Sequence, residues 1–509
     1  RGISVANAEN RIMASAGAKA IENALRNYIS PWQKGFVPGR EGKDHITGLV
    51  GEFYRCANEG TQRHVLLLDM KRAFDTMSHS FIHACLKQLG FPDWFRRLVG
   101  GLLHHVVVIP AFSSDPAHFI RILRGVKQGC PLSPLLFVIC FDIFLRRLSA
   151  IEGLSLHAFA DDLAMAAKVV KTILRGLREA RVFGTFSGLE INQVKTVLVS
   201  VLKPSLKSRT TFDQLGWECI KFVKEAVYLG LLFGRDVSTV DVFRPAFNKF
   251  NDRLRRIASV IKTSSLHDRI TIFNVFLLPL FYYLGQFLVI PWAQVAAPVQ
   301  ALCCAHIIPF RGGGFGYAHL VTPRTMGFGP FTPLRDLWSF NMTLLGWDFD
   351  LERSHLSAEV DLGEFQKVLT PTGLDNNMTC EAHGAYGAFI LLYSFTPRRG
   401  KLIDLASLPP TDRPAARRKW FYNAIASENF WRERRDPKMA TSLARKLSNL
   451  LKAPPLLREA RHVNAHAMIA RKTKSITPAV WNTQFRLMMH ALPFDRRRRK
   501  AKMVVKEGG

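Results

Sequence analysis

Apolar and polar positions along this chain repeat with two different periods. Ile21 to Tyr28 and His45 to Ala57 place apolar residues at three- and four-residue steps, which predicts helices. Val65-Leu66-Leu67-Leu68 is an unbroken apolar run of strand length closed by Asp69, so it predicts a buried strand that delivers an acid at its end. Helical spacing returns at His79 to Leu89 and again near 134–149 and 170–187. Between them, Leu156 to Met165 alternates on either side of Asp161-Asp162, the pattern of a half-buried hairpin with acid at its tip. Further on, Phe243, Phe247, Phe250, Leu254 and Ile257 share one helical face, with Arg253, Arg255 and Arg256 among them; an amphipathic helix with a basic side is predicted. Ile270 to Pro291 is strongly apolar but interrupted by Asn274, Pro279 and Gln286 and abutted by Asp268 and Arg269, which weighs against a membrane span.

The acids change the picture from fold to chemistry. Two adjacent like charges are costly unless a cation sits between them. Asp69 from one strand with Asp161 and Asp162 from another would form a hard-oxygen site for two Mg²⁺ ions, with Mn²⁺ as a substitute. Such a pair of ions can activate a primer 3′-hydroxyl and stabilise the leaving pyrophosphate of an in-line displacement.

Six strings, in order, carry a resemblance. They are Gln33-Lys34-Gly35-Phe36-Val37-Pro38-Gly39-Arg40; Leu68-Asp69-Met70-Lys71-Arg72-Ala73-Phe74-Asp75; Arg124-Gly125-Val126-Lys127-Gln128-Gly129-Cys130-Pro131-Leu132-Ser133-Pro134-Leu135-Leu136-Phe137; Phe159-Ala160-Asp161-Asp162; Gly188-Leu189-Glu190-Ile191-Asn192-Gln193-Val194-Lys195-Thr196; and Tyr228-Leu229-Gly230-Leu231-Leu232-Phe233-Gly234. The series resembles the ordered motifs of reverse transcriptases of the non-LTR (LINE-type) retrotransposon branch. The resemblance implies an α+β right-hand polymerase: partial fingers at 1–64, a palm with a small antiparallel sheet at 65–235, a helical thumb at 236–345 in which the apolar stretch about Pro279-Leu280-Phe281-Tyr282 is a buried helix pair, and a basic helical region at 346–509 that binds RNA. It implies metal ligation by Asp69, the Met70 carbonyl, Asp161 and Asp162, with Lys195 protonating the leaving pyrophosphate. Phe74 would exclude a 2′-hydroxyl, Gln128 and Gly129 would lie beside the incoming nucleotide, Arg1 would clamp its triphosphate, and Tyr228-Leu229-Gly230 would contact the primer. The partners implied are an RNA template, a DNA primer or nicked target DNA, and deoxynucleoside triphosphates, with no membrane. The chain opens without Met where the resemblance places mid-fingers, so a finger tip and any endonuclease are expected to be missing or supplied separately. A group II intron-type maturase and a domesticated, non-catalytic RNA-binding protein are the rival readings; the retained Asp69, Asp161, Asp162, Phe74 and Gln128 weigh against the second.

Composition agrees with a nucleic-acid partner. The 509 residues hold 70 Lys and Arg against 40 Asp and Glu, a formal net charge of +30. From Phe395 to Gly509 there are 27 basic and 8 acidic residues, a net +19. In that region Arg417-Arg418-Lys419-Trp420-Phe421-Tyr422 and Phe430-Trp431-Arg432 interleave cations with rings, which suits RNA by phosphate contact and stacking. Asp495 is followed by Arg496-Arg497-Arg498-Arg499-Lys500, a nuclear-import signal or a phosphate-binding arm, so a nuclear or cytoplasmic ribonucleoprotein is expected. The eight cysteines show no metal-ligand spacing, and Cys303-Cys304 is read as buried thiols in a reducing compartment. Gly312-Gly313-Gly314-Phe315-Gly316 lacks the Lys-Ser/Thr ending of a phosphate loop, and Gly327-Phe328-Gly329-Pro330 resembles the string that follows the family's thumb.

Overall fold

A computed structural model describes residues 7–104, 107–108, 120–308, 317–321 and most of 332–344. They divide into two compact units, one running through Val237 and one beginning at Ser238. Arg1, the glycine strings at 312–316 and 327–330, and the basic region from 346 onward lie outside the described residues.

The first unit opens with two helices, α1 (Ala8–Tyr28) and α2 (Lys43–Asn58), and strand β1 (His64–Leu68) follows. Next come α3 (Ala73–Thr76), α4 (His79–Gln88) and α5 (Asp93–Leu103), a short antiparallel pair β2 (Val107–Val108) and β3 (Ile120–Arg121), and the long helix α6 (Ser133–Ser149). Strands β4 (Ser155–Phe159) and β5 (Asp162–Ala167) form the expected hairpin, and α7 (Val170–Ser187) follows. The unit closes with β6 (Val197–Ser200), α8 (Leu206–Gln214), β7 (Lys221–Val223) and the hairpin β8 (Glu225–Tyr228)–β9 (Leu231–Gly234).

Five strands form one sheet in the order β4-β5-β1-β6-β7. The central position of β1 explains its unbroken apolar run, because both edges are paired and Val65, Leu66 and Leu68 are buried. Leu66 pairs with Met165 on β5 and with Leu198 on β6. The expected antiparallel sheet holds for four strands, while β7 joins β6 in parallel. The reason is connectivity: a parallel neighbour needs a crossover, and α8 supplies it. Helices α6 and α7 pack on the sheet and on each other through a ring cluster; Phe144 stacks on Phe183 at 4.8 Å and Phe137 on Phe141 at 5.3 Å. That apolar layer is the platform under β1 and the β4–β5 hairpin.

The second unit starts with α9 (Thr239–Thr263), whose first turn is closed by a reciprocal cap between Ser238 and Asp241. Phe243, Phe250 and Leu254 are buried and Arg255 and Arg256 exposed, as the spacing predicts. Arg253 is instead tied down, donating to the Phe276 carbonyl at 2.8 Å and lying over the Phe276 ring. The apolar stretch from Ile270 is buried at Ile270, Phe273, Leu277, Leu278, Phe281 and Leu284, but it forms fragments rather than two helices: α10 (Leu266–Ile272), a π turn over Phe273–Leu277, and α11 (Pro279–Tyr282). Pro279 has no N–H to continue the ladder, and the Leu278 amide reaches back five residues to Phe273 at 2.9 Å. Helices α12 (Ala297–Ile307) and α13 (Tyr317–Val321) follow; Cys303 is buried, whereas Cys304 is only half-buried. No helix among the described residues is long and apolar enough to cross a membrane.

Candidate active site

The three acids meet at one corner of the sheet. Phe159 pairs with Asp162, so only Ala160 and Asp161 form the turn between β4 and β5. Ala160 has φ 57°, as the first residue of a tight mirror-image turn requires. On the neighbouring strand, Leu68 pairs with Leu163, and one further step of that antiparallel register sets Asp69 across from Asp162. Asp69 and Asp161 are half-buried and Asp162 is exposed.

Every other string resembling the family is hydrogen-bonded around this corner. The 188–196 segment holds the end of β1: Asn192 donates its amide to the Asp69 carbonyl at 2.8 Å, Lys71 donates to the Glu190 carbonyl at 2.8 Å, and the Asp69 amide donates to Thr196 Oγ1 at 3.2 Å. Met70 is thereby bridged to Ile191 through its neighbours' groups, and its own carbonyl is not part of the pairing. The 124–134 segment lies along the turn after β1, with Gly125 donating to Met77 and Val126 to Phe74, both at 2.7 Å. Gly125 has φ +85°, and a Cβ there would come within 2.5 Å of the Asp75 backbone, so a glycine is required. The 33–40 segment runs beside β4. Four non-glycine residues among those described have positive φ: Phe36, Arg72, Ala160 and Leu229. All four fall within these strings, and such backbone costs about 1–2 kcal/mol per residue, which the surrounding hydrogen bonds must offset.

The nucleotide-side residues divide. Phe74 is half-buried, stacked on Phe137 at 4.4 Å with an interplanar angle of 18°, while Phe36 meets it edge-on at 6.3 Å. Gln128 is half-buried and donates to Asp75 Oδ1 at 3.1 Å, and Gly129 has φ 101°. Lys195 is exposed on the turn after Asn192. Tyr228 is buried and its hydroxyl donates to the His157 carbonyl of β4 at 3.0 Å, with Leu229 and Gly230 at the hairpin tip. Arg1 is outside the described residues.

Two features escaped the sequence. Gln33 is fully buried with its amide on the Ala160 backbone, and its only signal was membership of the first string. His45, buried, and His157, half-buried, form a pair with Nδ1 atoms 3.2 Å apart. His45 Nε2 donates to the Trp32 carbonyl at 2.8 Å, so its Nδ1 accepts and His157 donates. Burial first, then for His157 the neighbouring His45, pushes these imidazoles down to about 4 and about 3. No sequence spacing links positions so far apart.

As to a cation, the donor set of carboxylates and one carbonyl is chemically right for a hard divalent ion. No three His, Cys, Asp or Glu side chains among the described residues already stand close enough together to enclose one. The backbone places the acids side by side, Asp161 in the β4–β5 turn, Asp162 at the start of β5 and Asp69 one step past the end of β1.

Residues 1–231 match the family model for reverse transcriptase (RNA-dependent DNA polymerase). This segment is a reverse transcriptase domain. Its relatives are retrotransposon proteins: 252 residues are 30% identical to a Pol polyprotein from a type-1 retrotransposable element R2 of Popillia japonica, covering 46% of this chain and 35% of that protein. Another 224-residue match, 31% identical, is to the Pol polyprotein of the type-2 element R2DM of Drosophila melanogaster, covering 40% of this chain and 20% of that one. The matched segment is thus similar to retrotransposon Pol polyproteins, and the chain spans well under half the length of these relatives. Among solved structures, an apo telomerase from Candida tropicalis aligns with a TM-score of 0.37 at 12% identity over 81% of this chain and 61% of that one, too loose to add to the sequence match. Reverse transcriptases as a family work with divalent metal ions.

Proposed function

We propose that this chain is an RNA-directed DNA polymerase that extends a DNA 3′-end on an RNA template. The observation that carries the reading is the corner itself: Asp69 at the end of β1 stands across from the Asp161-Asp162 turn, with the remaining family strings hydrogen-bonded around it. Two Mg²⁺ ions held by Asp69, Asp161, Asp162 and the Met70 carbonyl would supply hydroxyl activation and charge neutralisation at the phosphates. The protein's part is to fix these oxygens and shape the nucleotide's seat. Phe74 cannot swing away, because Phe137 supports its face and Phe36 its edge; a rigid ring there excludes a 2′-hydroxyl by steric clash. Gln128, oriented by Asp75, and Gly129 lie on the loop that borders the same ring. Lys195 is exposed and so able to follow a leaving pyrophosphate and donate a proton to it. Hairpin tip Leu229-Gly230 is assigned to the primer by its backbone rather than by the Tyr228 ring. The RNA template and the DNA end are held by the chain's net positive charge, +30 in all. Primer extension on an RNA template with deoxynucleotides tests the reading; a folded chain that binds RNA but adds no nucleotide, with Mg²⁺ or Mn²⁺ supplied, would refute it.

A further inference from the structure

The side chain of Gln33 makes three hydrogen bonds in a fully buried place. Its Oε1 accepts from the Ala160 amide at 2.8 Å and from the Gly35 amide at 2.8 Å, and its Nε2 donates to the Ala160 carbonyl at 3.1 Å. Both backbone groups of the first turn residue are therefore held by one amide. Backbone contacts seat the segment itself: Lys34 donates to the Ala158 carbonyl and Ala158 to the Trp32 carbonyl, each at 2.9 Å. Gly35 follows so closely that a Cβ on it would lie 2.2 Å from the Ala160 nitrogen. The far end of the string fixes the near end. Arg40 donates to the carbonyls of Gln33 at 2.8 Å, Ile29 at 2.7 Å, Ser30 at 2.5 Å and Arg26 at 2.9 Å, which ties the Gln33 loop to the C-terminus of α1.

What this clamp holds is the residue that most needs holding. Ala160 keeps φ 57° without the freedom of glycine, at a cost of about 1–2 kcal/mol. Released from Gln33, the turn would relax toward ordinary backbone and carry Asp161 and Asp162 with it. We propose that Gln33 is a positioning residue for nucleotide addition: its amide locks the turn that presents the catalytic acids, and only a side chain that donates and accepts at once can do so. An ionised carboxylate in its place keeps the two accepted bonds but faces the Ala160 carbonyl with a second acceptor. A protonated carboxyl restores the donor. Burial raises the pKa of a carboxyl, so the exchange falls within a workable pH range.

This inference rests on the polymerase reading, and the experiment separates the two. Wild-type, Gln33→Glu and Gln33→Met full-length chains are compared in single-nucleotide addition on a saturating RNA–DNA duplex from pH 5.5 to 8.5, beside RNA affinity and thermal melting. Gln33→Met should lower kcat about 100-fold, the cost of misplacing reacting groups by about an ångström, with KM and RNA affinity near wild type. Gln33→Glu should run close to wild type at the acid end, relative to the wild-type profile, and fall toward the Met variant as pH rises. No addition by wild type sinks the polymerase reading. Active wild type with unchanged kcat in Gln33→Met, or with a wild-type pH profile in Gln33→Glu, overturns the clamp. Loss of cooperative melting in both variants at every pH also overturns it, since Gln33 would then be needed for folding and not for placement.

Discussion

Acid should destabilise this protein through His45, His64 and His157. His45 and His157 are held neutral at about 4 and about 3, and burial pushes His64, which hydrogen-bonds Ser200 Oγ at 2.7 Å, to about 4. Each value lies below the unfolded histidine's, near 6.5, so the unfolded chain binds the extra protons. The stability these groups contribute is complete above pH 6.5 and is lost as pH falls toward 4. At 1.36 kcal/mol per pH unit, each histidine costs about 2 kcal/mol between pH 7 and pH 5, or about 6 for the three. Domains hold about 5–15 kcal/mol in total, so the loss is a sizeable share of it. The site is involved directly, because His157 lies on the strand that leads into the Asp161 turn and its carbonyl receives Tyr228. Urea denaturation at pH 7.5 and pH 5.0 measures the effect, and His157→Phe, which cannot titrate, isolates one share. The variant's loss on acidification should be smaller than wild type's by about 2 kcal/mol. An identical loss in the two proteins would show that His157 is not a buried neutral group.

Other perturbations reach other parts of the account. Phe74→Val should raise ribonucleotide incorporation relative to deoxynucleotide by an order of magnitude or more, with about 1–3 kcal/mol of stability given up as the Phe137 stack disappears; competitive incorporation assays check it, and unchanged discrimination would assign the gate to another side chain. Gly35→Ala should cost about 1–3 kcal/mol and slow nucleotide addition, because the methyl group meets backbone at Ala160 and not a movable side chain. Replacing Arg496, Arg497, Arg498 and Arg499 with Gln should flatten the salt dependence of RNA binding, by up to about 0.7–0.9 in log–log slope for each phosphate no longer neutralised; an equal slope would make that run solvated surface.

Much of the first unit was legible because its signals are local. The run Val65–Leu68 and the alternation about Asp161-Asp162 each fix a strand's face, and two strands whose acids meet then define the corner. Helices α2, α4, α6 and α7 follow from three- and four-residue spacing, as does the end of α1 from Ile21. Legibility stopped where the physics is long-range. Nothing near Gln33 in the chain shows that its amide closes on a backbone 127 residues away, and His45 reveals its partner only once β4 passes it. Tyr228 belongs to the string for a primer contact, but the bond from its hydroxyl to the His157 carbonyl of β4 is a long-range contact that no local period announces. The parallel β7 and the π turn at Phe273–Leu277 are set by crossover geometry and by Pro279, neither of which alters hydrophobic period.

The central claim is that Asp69, Asp161 and Asp162 act together as one metal-dependent centre for RNA-templated DNA synthesis. Its most direct test is primer extension on RNA by wild-type, Asp69→Asn and Asp161→Asn chains, with Mg²⁺ present or chelated, alongside RNA affinity measured on the same preparations. Extension is expected from wild type with Mg²⁺ only and from neither variant, with RNA affinity within about threefold throughout, because the carboxylates organise the chemistry while the basic surface holds the duplex. Extension that survives either substitution, or RNA affinity that disappears together with activity, would contradict it.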